Sequence, residues 1–382
     1  MSLPTIWVFG DQLNRSIGAL SGATPLTHRM LFVESASKIA SRKWHIQRAH
    51  FIVASMRKFA NELRTEGFQV DYRYAGSMAQ GVAEHVREFA PPEIVATEPN
   101  NYAARLLAQE LGVHTVPSNQ FLCHPTEYQD FLGARKSIKM EDFYRWQRKR
   151  LNVLMDDSEP TGDRWNFDEE NRQPPPKTGH DRWPEPEQYE LDDIDRAVLE
   201  SVQKHCFGKL PVGQWATTRY GALGRLHFFI KHVLPMFGEH EDAMLKSNWH
   251  LAHSLLSPYL NIGLLLPGEV VEAAQSAFRG GGVPLNSAEG FIRQIIGWRE
   301  YIWNCYWQWM PEYAHMNALS ADVDLPPMFT DPAKTSMACM KSVLGGVNER
   351  AYSHHIERLM VLGNFALIAG VNPQQLTRWM WN

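Results

Sequence analysis

Short apolar runs and longer amphipathic stretches alternate from residue 5 to about residue 120. "TIWVFG" and "RMLFVE" predict buried strands. "WHIQRAHFIVASMRKFANELRTEG" predicts a long helix closed by Gly67, and "QVDYRYA" predicts another strand. "MAQGVAEHVREFA", "EIVAT", "NYAARLLAQELG" and "HTVPS" continue the alternation. Strands that alternate with helices in this way predict a parallel sheet covered on both faces. Ligands of such sheets usually sit outside the carboxyl ends of the strands.

The pattern changes after residue 130. "EDFYRWQRKRLNVLMDD" has helical spacing and a basic middle, Arg145 to Arg150. "EPTGDRWNFDEENRQPPPKTGHDRWPEPE" is rich in Pro, Gly and charge without apolar periodicity, which reads as a long linker. Beyond residue 190, "TTRYGALGRLHFFIKHVLPMFG", "NIGLLLPGEVVEAAQSAFRGG", "SAEGFIRQIIGWREYIWNCYWQWM" and "NERAYSHHIERLMVLGNFALIAG" all have helical length and spacing. The expected organisation is an α/β domain over residues 1–130, a linker over 131–190 and an all-α domain over 191–382. A length of 382 residues agrees with two domains. Near the end, Asn372 and Gln375 bracket a helix start with Pro373 in its first position. The helix then runs into "RWMWN", whose bulky aromatics have no later segment to cover them.

Composition narrows the class. At 44% hydrophobic and 21% charged residues, with 13 Trp, the chain reads as globular. The start "MSLPTIWVFGDQL" has no basic leader, and no run is long and apolar enough for a membrane span, so a cytoplasmic protein is expected. Cys123, Cys206, Cys305 and Cys339 lie far apart without a CxxC pair, which predicts four free thiols. A net charge of -4 requires any nucleic-acid contact to come from a local patch.

Several residues could carry chemistry. The first strand is followed by "FGDQLN" rather than a glycine-rich dinucleotide fingerprint, so Asp11 and Gln12 are polar groups at a strand end or simple turn residues. Glu34 of "FVES" is in the same position on the next strand. Ser254 and Ser257 of "HSLLSPYLNIGLLLPGEV" could offer hydroxyls and backbone N–H groups to a phosphate, or serve as caps. Gln294, Trp298, Arg299 and Tyr301 fall within two turns, on a core face or a ligand face. His354 and His355 adjoin on an apolar helix, with His354 and Arg358 expected on one stripe and His355 on the next. That spacing excludes a shared metal; it fits one core and one surface histidine, or a proton donor beside a cation.

The order of these segments resembles the photolyase and cryptochrome superfamily. "FGDQL", "FVES", "FYRWQRKRLNVLMD", "WNFDEENR", "SLLSPYLNIGLL", "RQIIGWREYIW" and "YSHHIERLMVLGNFAL" are similar to its prokaryotic iron–sulfur branch, the bacterial (6-4) photolyases and their cryptochrome relatives. The resemblance implies a Rossmann-like parallel sheet followed by an all-α FAD-binding domain. It implies light-driven repair of (6-4) pyrimidine photoproducts in damaged DNA, or blue-light signalling with the same flavin, by a monomer. Ser254, Leu255, Ser257, Arg293, Gln294 and Arg299 would bind FAD, Trp298 would meet the substrate, and Trp379 would relay electrons. His354 and His355 would form the lesion-pocket pair, held by Arg358. Asp11, Gln12 and Glu34 would bind a 6,7-dimethyl-8-ribityllumazine antenna. Cys339 matches the first ligand of the family's iron–sulfur cluster, whose other ligands come from a C-terminal segment missing here, so the resemblance implies a truncated chain.

Overall fold

The computed structural model describes residues 2–135, 138–178 and 182–382. Five strands, β1 (Thr5–Trp7), β2 (Arg29–Ser35), β3 (Val70–Ala75), β4 (Ile94–Thr97) and β5 (His114–Val116), form a sheet in the order β3-β2-β1-β4-β5. Every pairing in it is parallel. Successive side chains of a strand face opposite sides, and β2 uses both. Met30 and Phe32 enter one apolar cluster, Leu31 and Val33 another. Burial on both faces explains why β2 reads as a continuous apolar run.

The first face is covered by α1 (Ile46–Thr65), the second by α2 (Met78–Phe89) and α3 (Tyr102–Glu110). The long helix begins two residues later than its sequence pattern suggests. Trp44 and His45 pair instead with Cys206 and Phe207, and the His45 ring caps α1 by accepting from Gln47 N–H at 3.2 Å. Strand order reverses between β1 and β4, which opens a crevice at the carboxyl ends of the sheet. Gly10 lies just beyond β1, where a β-carbon would be 2.6 Å from Met56 Sδ, so any larger residue would have to push the Met56 side chain of α1 aside.

From Arg219 onward the named elements are helical. They include α4 (Arg219–Phe228), α5 (Pro267–Arg279), α6 (Leu285–Ile292), α7 (Glu300–Trp309), α8 (Ala338–Arg350), α9 (Asn364–Ile368) and α10 (Pro373–Trp381). Three wider π-helical stretches interrupt the regular turns: Phe229–Val233, Arg293–Arg299 and Glu357–Gly363. Such stretches often accompany functional sites because they re-aim side chains. The largest apolar cluster runs from Ile6 and Phe32 through Phe51 and Tyr259 to Phe291 and Ile296, so sheet and helices share one core.

The segment read as a linker is packed more closely than its composition suggests. Trp183 and Asn171 are buried, and Asn171 exchanges two 3.0 Å hydrogen bonds with Asn286. Residues 179–181 of that segment lie outside the described residues. The basic run is likewise drawn inward. Arg148 is fully buried and donates to the carbonyls of Val153, Leu154 and Trp165, while Arg150 pairs with Glu127 at 2.6 Å. These two cations satisfy backbone and side-chain acceptors rather than facing a phosphate backbone.

Two differences concern the C-terminal third. The predicted helix over 348–370 is broken: α8 ends at Arg350, Ala351 has φ 55°, and helical structure resumes at His355. Asn372 caps α10 by accepting from Gln375 N–H, but the Gln375 side chain turns away to Leu325 N–H and Asp324. Of the terminal aromatics, Trp379 donates to Phe329 O at 2.8 Å, and Trp381 lies beneath Arg42 and Arg48 of the sheet half.

Candidate functional site

His354 and His355 straddle the start of the last broken helix, and that position separates their roles. His354 is 1% exposed, and its Nδ1 accepts from Glu357 N–H at 3.4 Å, as an N-cap does. Its ring stacks on His253 with centroids 4.3 Å apart. Burial, with His355 adding to it, pulls His354 down to about 4. Burial and the neighbouring imidazoles hold His253 well below the usual histidine range. His355 faces outward, with Nε2 at 3.8 Å from Asp242 Oδ1. Burial lowers its pKa, Asp242 opposes the shift and Arg358 adds to it.

From Asp242 a chain of charges leads into the helices. Arg172 contacts Asp242 at 3.7 Å and Asp168 at 3.3 Å, and Asp168 pairs with Arg293. Arg293 also approaches Glu289 at 3.6 Å and Glu241 at 3.9 Å, and Tyr144 donates to Glu289 at 2.8 Å. Burial alone would lower the Arg293 pKa, but Glu289, Asp168 and Glu241 together raise it. Burial pushes the Glu241 carboxyl up to about 8 despite Arg293. Gly290 permits this packing, since a β-carbon there would be 2.8 Å from Glu241 Oε2.

The distinctive property of this region is polarity without partners. Among the described residues, His250 Nε2, His253 Nε2, His354 Nε2, Glu241 Oε2, Glu289 Oε2 and Arg293 Nε are buried and lack a hydrogen bond. Such groups are costly when left unmet, by about 1–3 kcal/mol each, so natural proteins rarely gather them without a reason. Ser254 and Leu255 line an adjoining cleft with Arg225, His250 and His253 that has room for only about 10 Å³. Leu255 is buried at φ 57°, and Ser257 opens the short helix Ser257–Asn261. Gln294 donates to Gly290 O at 3.3 Å. These donors and acceptors are groups that a large polar ligand could meet. The cleft is narrower than the roughly 300–1,000 Å³ of usual ligand pockets, so such a ligand would need the segments around it to part.

Trp298 and Arg299 point to other surroundings. Trp298 is 45% exposed and meets Tyr301 edge-on at 6.5 Å. Arg299 lies 3.9 Å over the Phe121 ring and donates to Gln120 O and Leu260 O. Its neighbour Glu300, fully buried, accepts from Leu122 and Cys123 N–H at 2.8 and 3.0 Å. Arg299 and Glu300 thus fasten the helices to the segment that leaves the sheet.

At the sheet end the charged and polar candidates are already engaged, although, among the described residues, Asn14 Nδ2 and Asn100 Oδ1 beside them are buried without a hydrogen bond. Glu34 takes a two-pronged pair from Arg57 at 2.8 and 3.0 Å and a 2.9 Å bond from Tyr72. Gln12 is buried and donates to Glu98 O at 2.8 Å. Burial raises the Asp11 pKa, opposed by Asn100, and the Asp11 carbonyl accepts from Gln120.

Three further candidates lie elsewhere. Arg358 is exposed, and its backbone N–H donates to His354 O at 3.0 Å, so it meets the pair through the main chain. Cys339 is exposed on α8, and Trp379 packs on the cluster of Met328, Phe329, Met340 and Leu344. Leu362, from the helix that His355 opens, belongs to the same cluster. No three His, Cys, Asp or Glu side chains among the described residues are placed to hold a metal.

Sequence reasoning did not single out His253, Asp242, Glu241, Glu289 or Asp168. None sits in a short spacing motif, and only the fold brings them together. The one available signal was an acidic residue inside a buried helix, as at Glu289.

Comparison with known proteins places this geometry in context. Residues 6–219 match the family described as deoxyribodipyrimidine photo-lyase-related protein. A (6-4) photolyase from Agrobacterium fabrum is 39% identical over 390 residues, covering 98% of this chain and 76% of that protein. A bacterial class III photolyase from Agrobacterium tumefaciens superposes with a TM-score of 0.65 at 17% identity, over 100% of this chain and 76% of the other. A Synechocystis cryptochrome superposes with a TM-score of 0.65 at 14% identity, over 99% and 77%.

Proposed function

Because the chain belongs to the deoxyribodipyrimidine photo-lyase-related family, we propose that it repairs (6-4) pyrimidine photoproducts in DNA with light, using FAD. The observation that carries this reading is the set of buried polar atoms without partners around His253, His354, Glu241, Glu289 and Arg293. Ser254, Leu255, Ser257, Gln294 and Arg293 would hold the flavin, and Arg299 would fix their helix to the sheet half. When bound, FAD supplies the light-excited electron. His355 then gives a proton to the photoproduct as negative charge arrives on it, while His354 caps the helix that carries His355. Taking the lesion out of the duplex costs only a few kcal/mol because a damaged pair is already weakened. Trp298, with its exposed ring, offers a stacking face that offsets part of that cost.

Two finer parts of this reading differ in support. We place the antenna side in residues 1–130 and the flavin side in 191–382, joined by 131–190. Glu34 and Gln12 are engaged within the protein, so a ribityl lumazine held by Asp11, Gln12 and Glu34 would have to share or displace those bonds. Cys339 offers one thiolate where an iron–sulfur cluster takes four. Among the described residues there is therefore no complete cluster site. Trp379 remains an electron-relay candidate, packed edge-on against Phe329 at 5.0 Å.

The two superposed structures are equally similar in fold, so the fold leaves repair and signalling equal. The test is chemical. Flavin-loaded, reduced protein is illuminated with an oligonucleotide carrying one (6-4) photoproduct, with a dark control and a cyclobutane-dimer control. Repair of the (6-4) lesion in light alone supports the proposal. Flavin photochemistry without repair of the lesion replaces it with a light receptor.

A further inference from the structure

The two adjacent histidines are held so differently that they cannot exchange roles. The capping bond fixes one nitrogen of His354. Nδ1 receives the Glu357 N–H, so the ring's single proton sits on Nε2. Protonating Nδ1 would break the cap, place charge beside the stacked His253 ring at 4.3 Å, and set it at a helix start, where positive charge is disfavoured. Glu357 Oε1, from the same helix, lies 3.6 Å from Nε2.

His355 also sits at the helix start, yet it has a carboxylate facing it from another element. Asp242 Oδ1 is 3.8 Å from His355 Nε2. The other ionisable groups facing His355 are His253, whose ring centroid is 6.1 Å away, and Arg358 and His354 of its own segment. Arg172, at 3.7 Å from Asp242, competes for the same carboxylate and is itself shared with Asp168. One carboxylate therefore balances Arg358 and the helix start.

We propose that Asp242 is a positioning residue that makes His355, and not His354, the proton donor of the pair. The inference deepens the repair reading and rests on it for the identity of the proton acceptor. Asp242 touches neither lesion nor flavin in this account. It orients the imidazole and keeps its proton population high enough for donation, while His354 stays neutral as the cap.

Histidine-selective NMR titration of the flavin-loaded protein tests this without light or DNA, with His354→Gln and His355→Gln used to assign the signals. In Asp242→Asn the His355 midpoint should fall by about half a pH unit, and Asp242→Glu should restore part of it. The His354 signal should stay neutral until the protein is well below the usual histidine range. The repair profile should follow: if protonated His355 is required, activity falls as pH rises through its pKa, so the descending limb moves to lower pH in Asp242→Asn. An unchanged His355 midpoint in the folded Asn variant overturns the proposal, as does a His354 midpoint as high as that of His355. If both titrations come out as expected while wild-type protein repairs nothing at any pH, the repair reading fails and the Asp242–His355 pairing stands.

Discussion

The carboxyl end of the sheet and the centre of the helical half are both buried, polar and rich in charge, but they treat their charges in opposite ways. At the sheet end Glu34 has two bonds from Arg57 and one from Tyr72, and Gln12 is matched to a carbonyl. In the helical half Glu241, Glu289, Arg293, His253 and His354 each keep a buried atom without a hydrogen bond. A satisfied network stabilises the fold and asks nothing of a ligand. An unsatisfied one lowers stability until something fills it, which is how a binding site differs from a structural knot of charges. The difference teaches that charge density alone does not locate a site. Unmet hydrogen-bonding capacity gathered on several neighbouring charged groups is the better guide, since single unmet atoms such as Asn14 Nδ2 and Asn100 Oδ1 occur at the sheet end too.

The most severe test breaks the chemistry and leaves the site standing. His355→Ala should reduce light-driven repair by about 10²-fold or more, measured as single-turnover repair, with bound flavin unchanged. Loss of flavin in step with repair would show that His355 belongs to the binding network instead.

A second change attacks the network itself. Arg293→Met leaves Glu289, Glu241 and Asp168 without their shared cation, so unfolding free energy should drop by about 3–5 kcal/mol, and flavin should dissociate more readily. Denaturant melts of the flavin-bound and flavin-stripped forms separate the two effects. The substitution is expected to widen the contrast with Glu34, whose two carboxylate oxygens are both hydrogen-bonded.

The pH dependence of stability sharpens the comparison further. The Glu241 pKa is raised from 4.5 to about 8, so between those values the folded state holds a proton that the unfolded state has lost. Stability therefore falls as pH rises through that window. Glu241→Gln removes the effect, and its advantage over wild type in melting temperature should grow from about pH 5 to about pH 8. His354 has the opposite sign: its pKa is lowered from 6.5 to about 4, so its contribution is present above 6.5 and is lost as pH falls toward 4. The two effects oppose each other between pH 4.5 and 6.5, so the clear window lies above 6.5, where wild-type stability should fall as pH rises toward 8; a flat profile there would remove the electrostatic part of the account.

The smallest effect is expected at the sheet end. Glu34→Gln exchanges an ion pair for neutral hydrogen bonds and should cost about 1 kcal/mol, with flavin content and repair unchanged. A large loss of flavin in this variant would merge the two regions that are distinguished above.

The architecture was largely legible in the sequence, because β2 and its neighbours are buried on both faces and the later helices have clear apolar periodicity. Helix breaks were less so. Nothing in "NERAYSHHIERL" announces that α8 stops at Arg350, since Ala351 takes its left-handed φ without a glycine. That break turned His354 from a member of a helical stripe into a cap. The site was half legible: Arg293, Ser254 and the histidine pair lie in recognisable segments, but Asp242 and Asp168 join them only across long sequence separations. The basic run shows the reverse failure, since charge along a helix reads as a solvated face and Arg148 is fully buried.

The most direct measurement is the flavin stoichiometry of the reconstituted chain, read by absorption after gel filtration, for wild type, Arg293→Met and Glu34→Gln side by side. The account predicts close to one flavin per chain in wild type and Glu34→Gln, and a marked loss in Arg293→Met. Flavin retained by Arg293→Met but lost from Glu34→Gln would contradict it, and would place the ligand site at the end of the sheet.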